Sequence, residues 1–319
     1  MRFLDFSFKE FINGSFDFNP ETGTHASLFL RSEKVDAGGA ISKEEIDRLA
    51  DYPDAQVVTI SGLRQDTFEY FVKTYGAQLR AVRFFKNRFV RDWSLLGTLP
   101  ELEYVDFYIN HRIDRLWDMR GNTALSGLSI MNFTRLDHLD GISSAPNLKY
   151  FRIGDAARGR TILRSLLPLA GSSIEEVTFC GKDILDKDLS FLYGMKDLRV
   201  FDFPARLYST EEVAFIAANF PRLTGYSIKP YIVLTEKLLG EEETSGHIVV
   251  GRRKPFLRFA GHEKRLQNYA RAFETLKERY AGMDYHAAFP VGRKPRRLLR
   301  KRKAAKRAGR KTGKAKRTK

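Results

Sequence analysis

Residues 154–161 read GDAARGRT, one residue short of the phosphate-cradling pattern G-x-x-x-x-G-K-[ST], with Arg160 where the pattern has Lys. A Lys there offers a compact charge to terminal phosphates, and the surrounding glycines let backbone amides approach. In this chain the stretch follows an apolar strand-like run and sits where an ordinary turn would leave it, so it reads as a long, Gly-bearing loop. The other reactive residue types are scattered. Six His (25, 111, 138, 247, 262, 286) form neither H-E-x-x-H nor any pairing with a Cys, which argues against a zinc site. Cys180 is the one cysteine; it excludes an internal disulfide and has no nearby His to activate it as a nucleophile. Asn13-Gly-Ser and Asn132-Phe-Thr are formal glycosylation sequons, and the start MRFLDFSFKEF is broken by Asp5, Lys9 and Glu10 and does not read as an export signal. No catalytic constellation, metal site or cofactor motif emerges, and the expectation is a non-enzymatic protein without cofactors.

What would position these residues is a repeat. Residues 102–109, LEYVDFYI, put Leu102, Val105 and Phe107 in the stride L-x-x-L-x-L. The same stride begins at Leu79, Leu102, Leu125, Leu148, Ile174, Leu198 and Leu223, with a weaker copy at Ala55, so the intervals lie between 23 and 26 residues. In the copy from Leu125, Asn132 and Phe133 fall after the strand, and Leu136, Leu139 and Ile142 step by threes along the return segment. This pattern resembles the short, internalin-like class of leucine-rich repeat. The resemblance covers roughly residues 55–228. It implies an α/β solenoid of about eight repeats over 55–229: a parallel sheet on the concave face, and short helices or extended segments on the convex face. Relatives of that class are often secreted adhesins, a role that does not carry over without an export signal.

A stack of repeats needs its ends covered. Residues 1–54 read as an N-terminal cap with a Phe-rich start (Phe3, Phe6, Phe8, Phe11, Phe16, Phe18) and a capping box at Ser42 and Glu45. Residues 230–290 read as a C-terminal cap: a hairpin around Gly251 and Pro255, then a helix with Leu266, Tyr269, Ala270, Phe273, Leu276 and Tyr280 on one stripe, for end packing or for a partner. Ser209 and Glu212 form a further capping box.

Side chains alternate across a strand, so the residues between the apolar positions face outward in three columns. Arg83, Phe85, Tyr104, Asp106, Tyr108, Met131, Tyr150, Arg152 and Glu176 gather there, and aromatic and Arg side chains are the usual anchors of protein interfaces. The resemblance implies ligand binding on this concave face. The plainer alternative is that these groups shield the sheet and pair with one another.

The net charge of +16 resides in the tail. Residues 293–319 carry 16 Lys and Arg and no acid, which leaves 39 basic and 39 acidic residues before them. Residues 291–319 are expected to be disordered. Arg293, Lys294, Arg296, Arg297, Arg300, Lys301, Arg302, Lys303, Lys306, Arg307, Arg310 and Lys311 are candidates for sequence-independent contact with RNA or DNA. A solubilising tail, a targeting signal and attraction to an anionic membrane are the alternatives. The charges lack an amphipathic apolar partner, which disfavours the membrane. With no apolar run of about 18 residues, the expected location is cytoplasmic, or nuclear in a nucleated cell.

Overall fold

The computed structural model describes residues 4, 6–14, 27–30, 40–155, 160–235 and 245–290. Its largest element is an eight-stranded sheet, formed from β1 (Ser27–Leu30), β2 (Val57–Ser61), β3 (Ala81–Phe85), β4 (Tyr104–Asn110), β5 (Gly127–Phe133), β6 (Tyr150–Gly154), β8 (Glu176–Cys180) and β10 (Val200–Asp202). The strands lie side by side in chain order, all parallel. Between β6 and β10 the return segments add a two-residue pair, β7 (Ile162–Leu163) and β9 (Asp183–Ile184). Register follows the stride: Val58, Val82, Val105, Leu128, Phe151, Val177 and Phe201 stand in one row across the sheet.

The physical cause is burial on one side. Each strand turns its apolar positions inward, where Val82, Phe84, Val105, Phe107, Leu128, Ile130, Phe151 and Ile153 are closed off with the Leu and Trp side chains of the return segments. Those segments are mostly short 3-10 turns, with α3 (Gln65–Tyr75), the single turn α4 (Phe191–Gly194) and α5 (Thr210–Asn219) the exceptions. Earlier in the chain come α1 (Phe8–Asn13) and α2 (Lys43–Asp47), and α4 precedes β10. The capping boxes at Ser42 and Ser209 form: each Ser hydroxyl accepts from the amide three residues on, at 3.2 Å in both helices.

Buried amides line the strand exits. Asn87 donates to the Ile60 carbonyl at 2.9 Å and accepts from the Leu63 amide at 2.8 Å. Asn110, one copy later, donates to the carbonyls of Asn87 and Val90 at 2.8 and 3.0 Å. In the next copy the equivalent position pairs Asn110 with Phe133, which is buried, while Asn132 is half-buried at φ 62°. The inward-turning Asn is thus found at 87 and 110, and at 133 an apolar ring fills the place.

Two sequence expectations end differently. The stride at Leu223, Tyr226 and Ile228 does not make a strand; a single bridge joins Val200 to Thr224, and Tyr226 is 48% exposed. There side chains replace the ladder: Asp202 Oδ1 accepts from the Tyr226 amide at 2.6 Å and Ser227 Oγ donates to the Phe203 carbonyl at 2.6 Å. Downstream, β11 (Tyr231–Leu234), β12 (Gly246–Val249) and β13 (Phe256–Arg258) form a three-stranded antiparallel sheet, one strand more than the expected hairpin. Next, α6 (Glu263–Tyr280) packs on α5 with Phe273 and Tyr280 buried, and α7 (Tyr285–Ala288) follows. Among the described residues no helix is long and apolar enough to cross a membrane.

Candidate functional site: the outer face of the parallel sheet

The outer face carries the three columns in register. Val57, Ala81, Tyr104, Gly127 and Tyr150 form the first, at the strand starts. Thr59, Arg83, Asp106, Ser129 and Arg152 form the second, and Ser61, Phe85, Tyr108, Met131 and Gly154 the third.

The first column is covered by the chain's own N-terminus. Leu4, Phe6, Phe8 and Phe11 form a second apolar cluster with Val57, Ala81 and Tyr104, with Ile12 and Tyr150 at its edge. Tyr104 is at the centre: its ring lies 5.5 Å from Phe8, 5.8 Å from Phe11 and 6.2 Å from Phe6. Phe8 also stacks on Tyr150 at 5.9 Å. Gly127 makes the space, because a Cβ there would lie 2.2 Å from the Phe8 ring. The helix itself is locally encoded. Ser7 and Glu10 cap its start reciprocally, and Gly14 closes it at φ 68°. Six residues cannot hold a helix alone in water, so burial of the Phe rings, about 2 kcal/mol each, supplies what the local signals do not.

Beneath α1 the second column holds an ion pair. Arg83 Nε donates to Asp106 Oδ2 at 3.0 Å, with the two side chains only 19% and 10% exposed. Arg83 also donates to the Phe11 carbonyl and lies 5.2 Å over the Phe11 ring. Burial raises the Asp106 carboxyl above its ordinary value, and the Arg83 charge opposes that shift. The guanidinium therefore joins the sheet to the last turn of α1.

Of the nine partner-binding candidates, Arg83, Tyr104, Asp106 and Tyr150 face or support α1. Met131 is buried at 3% exposure. Phe85 and Tyr108 lie half-buried in the third column and stack flat, 5.3 Å apart with planes 6° from parallel. Lys86 sits 5.0 Å over the Phe85 ring. Arg152 is half-buried and Glu176 exposed. The basic tail candidates lie outside the described residues. No family model and no curated protein matches the chain.

The residues that sequence reasoning assigned to an end cap, Phe6, Phe8 and Phe11, thus lie on the outer face of the sheet. A signal for the helix was available: Ser7 and Glu10 have the same spacing as the capping boxes at 42 and 209. Nothing in the sequence says which surface such a helix seeks. Among the described residues no group of His, Cys, Asp and Glu is placed to hold a metal. Cys180 is a half-buried free thiol at the end of β8.

Proposed function

We propose that the chain is a non-enzymatic interaction protein of leucine-rich repeat type. A protein partner binds the strip of the outer face that α1 leaves uncovered. The observation that carries this reading is the flat Phe85–Tyr108 stack, left half-buried on a face where α1 buries Tyr104. Half-exposed aromatic rings have the composition of an interface centre, and Arg152 lies on the same face two strands from Tyr108. In this reading α1 is part of the binding surface, and Tyr104 and Asp106 hold α1 in place without touching the partner.

The segregated charge supports a second contribution. With no acid among residues 293–319, the tail adds salt-dependent, sequence-independent affinity for RNA or DNA. A nucleic-acid-associated protein with a scaffolding sheet is the alternative reading, and either would act in the cytoplasm, or in the nucleus of a nucleated cell. Affinity capture from native lysate, with and without nuclease, separates them. The first reading expects a discrete protein that survives nuclease and is lost from a Phe85→Ala, Tyr108→Ala, Arg152→Ala variant. Recovery only of nucleic-acid-bound proteins, abolished by nuclease and indifferent to those substitutions, would leave the alternative.

A further inference from the structure

The turn joining β12 to β13, residues 250–254, is clamped to the start of α5. Thr210 Oγ1 donates to the Val250 carbonyl at 3.0 Å, and the Gly251 amide donates to the Ala205 carbonyl at 2.8 Å. Gly251 holds φ 130°, and a Cβ on it would lie 2.2 Å from Thr210 Oγ1, so only glycine lets the turn seat this closely. Three cations follow in a row. Arg252 turns inward: its Nε donates to the Leu207 carbonyl at 3.2 Å and its guanidinium pairs with Glu212 at 3.5 Å. Arg253 is exposed, and Lys254 lies with its Nζ 5.3 Å from the Tyr269 ring of α6. Arg265, also exposed, stands one helical turn before Tyr269 on the same side of α6.

Two observations set this place apart. Arg253 sits at φ 59°, a left-handed backbone that Arg seldom adopts and that Gly or Asn takes at little cost. Packing does not explain a strained residue whose long charged side chain faces solvent. Its charge, moreover, is not answered. Among the described residues Arg253, Lys254 and Arg265 make no ion pair. The acids of α6 are elsewhere. Glu263, Glu274 and Glu278 share the flank opposite Arg265 by helical spacing, where Glu263 accepts from the Gly261 amide and Glu274 takes Lys277. Glu212 is spent on Arg252, and Glu211, exposed in the same turn of α5, is one charge against three. The acidic run Glu241–Glu243 precedes the far end of β12 in the chain.

We propose that this turn and the adjoining flank of α6 form a contact for the phosphate backbone of duplex DNA, made by Arg253, Lys254 and Arg265. The inference rests on the reading that the chain binds nucleic acid, and it adds a rigid contact to one ascribed to residues 293–319 alone. B-DNA carries one charge per ~1.7 Å of axis in fixed rows, which cations on a clamped turn and a helix meet without first being ordered. Single strands are held chiefly by stacking on aromatic rings, and Tyr269, the ring here, is half-buried with Lys254 over it. The 2′-hydroxyl that marks RNA both donates and accepts, while these three side chains are donors only. The tail begins just past Phe289, whose ring lies 5.7 Å from Phe215 of α5, so turn and tail are anchored on one helix.

Fluorescence polarisation of the full chain with a labelled DNA duplex, over a series of salt concentrations, tests the assignment. Arg253→Gln/Lys254→Gln/Arg265→Gln should weaken binding about tenfold or more and lower the slope of log affinity against log salt by about three, one per phosphate contact. Arg91→Gln/Arg115→Gln/Lys196→Gln, an equal loss of exposed charge on the repeats, should leave the slope unchanged. Arg253→Gly relieves the left-handed strain, so it should weaken binding severalfold with no fall in melting temperature. No binding of the duplex, equal effects from the two triple variants, or no effect from the first would overturn the inference. Tighter binding to an RNA duplex or a single strand, or binding to phosphatidylserine vesicles that the first triple variant loses, would overturn duplex DNA as the occupant. Lys301→Gln/Arg302→Gln/Lys303→Gln reads the tail separately. If it alone lowers the slope, the tail reading stands and this inference fails; if only the first triple variant does, the tail reading fails and this inference stands.

Discussion

The outer face of the sheet divides into two strips that began as one class of residue. Tyr104 and Tyr108 sit on the same strand, four residues apart, in a run of alternating outward positions. Tyr104 is 7% exposed beneath three Phe rings, whereas Tyr108 is half-buried and stacks on Phe85. Alternation tells which side of a sheet a residue takes, but not whether another part of the chain will return to cover it. The covered strip should therefore answer mutation with stability, and the uncovered one with binding.

The largest effect expected is at the covered strip. Phe8→Ala with Phe11→Ala removes two ring anchors, each worth about 3 kcal/mol or more when deleted from a packed site. The loss should stop growing once α1 has let go. Urea unfolding would register it, and hydrogen exchange at the amides of residues 10–13 would become unprotected. Amides that stay protected would mean that the rings do not hold the helix.

Next comes Asp106→Asn. It leaves Arg83 without its counter-charge under the helix and should cost about 2 kcal/mol. Arg83→Met combined with Asp106→Leu should recover part of that. If the double variant is no better than the single one, the two residues do not act as a pair. Ser7→Ala, which removes the hydroxyl that caps α1, should cost about 1 kcal/mol, with the change confined to the covered strip. By contrast Tyr108→Ala should shift stability by no more than about 1 kcal/mol while abolishing partner capture. A large fall in melting temperature would erase the distinction between the strips.

The smallest effect lies away from both strips. Asp47 accepts from the hydroxyls of Tyr70 and Tyr75 at 2.6 and 2.7 Å, which holds its carboxyl below 3.8. A lowered carboxyl contributes stability above pH 3.8 that fades as the pH falls through the folded-state value. Burial and the same carboxylate push the Tyr75 hydroxyl up to about 12. Tyr75→Phe should raise the Asp47 midpoint seen by NMR without altering the sheet; an unmoved midpoint would mean that the bond is not made in solution.

Much of the parallel sheet could be read from the stride because inward burial repeats with it: Leu79 and Leu102 predict the strands that follow them, and Ser209 with Glu212 predicts α5. The stride misled where local hydrogen bonding took over. At Tyr226 the Asp202 carboxylate and the Ser227 hydroxyl satisfy the backbone groups that a ladder would have used, so apolar spacing no longer implies a strand. Phe133 shows the same limit at finer scale, since a ring and an amide can each fill one inward position of the turn. The site was legible as composition, in the Tyr and Arg of the outward columns. Its division was not, because α1 meets the sheet through contacts such as Phe8 to Tyr104, which are 96 residues apart in the chain.

A stack in which each strand touches only its two neighbours can come apart from either end, one strand at a time. The segment from Leu4 to Ile12 touches the starts of five strands at once, from Val57 in β2 to Tyr150 in β6. It works as a tie bar across them. Losing one of those strands means losing the tie, so β2 to β6 should open as a single cooperative unit, while β8 and β10, outside its reach, fray earlier.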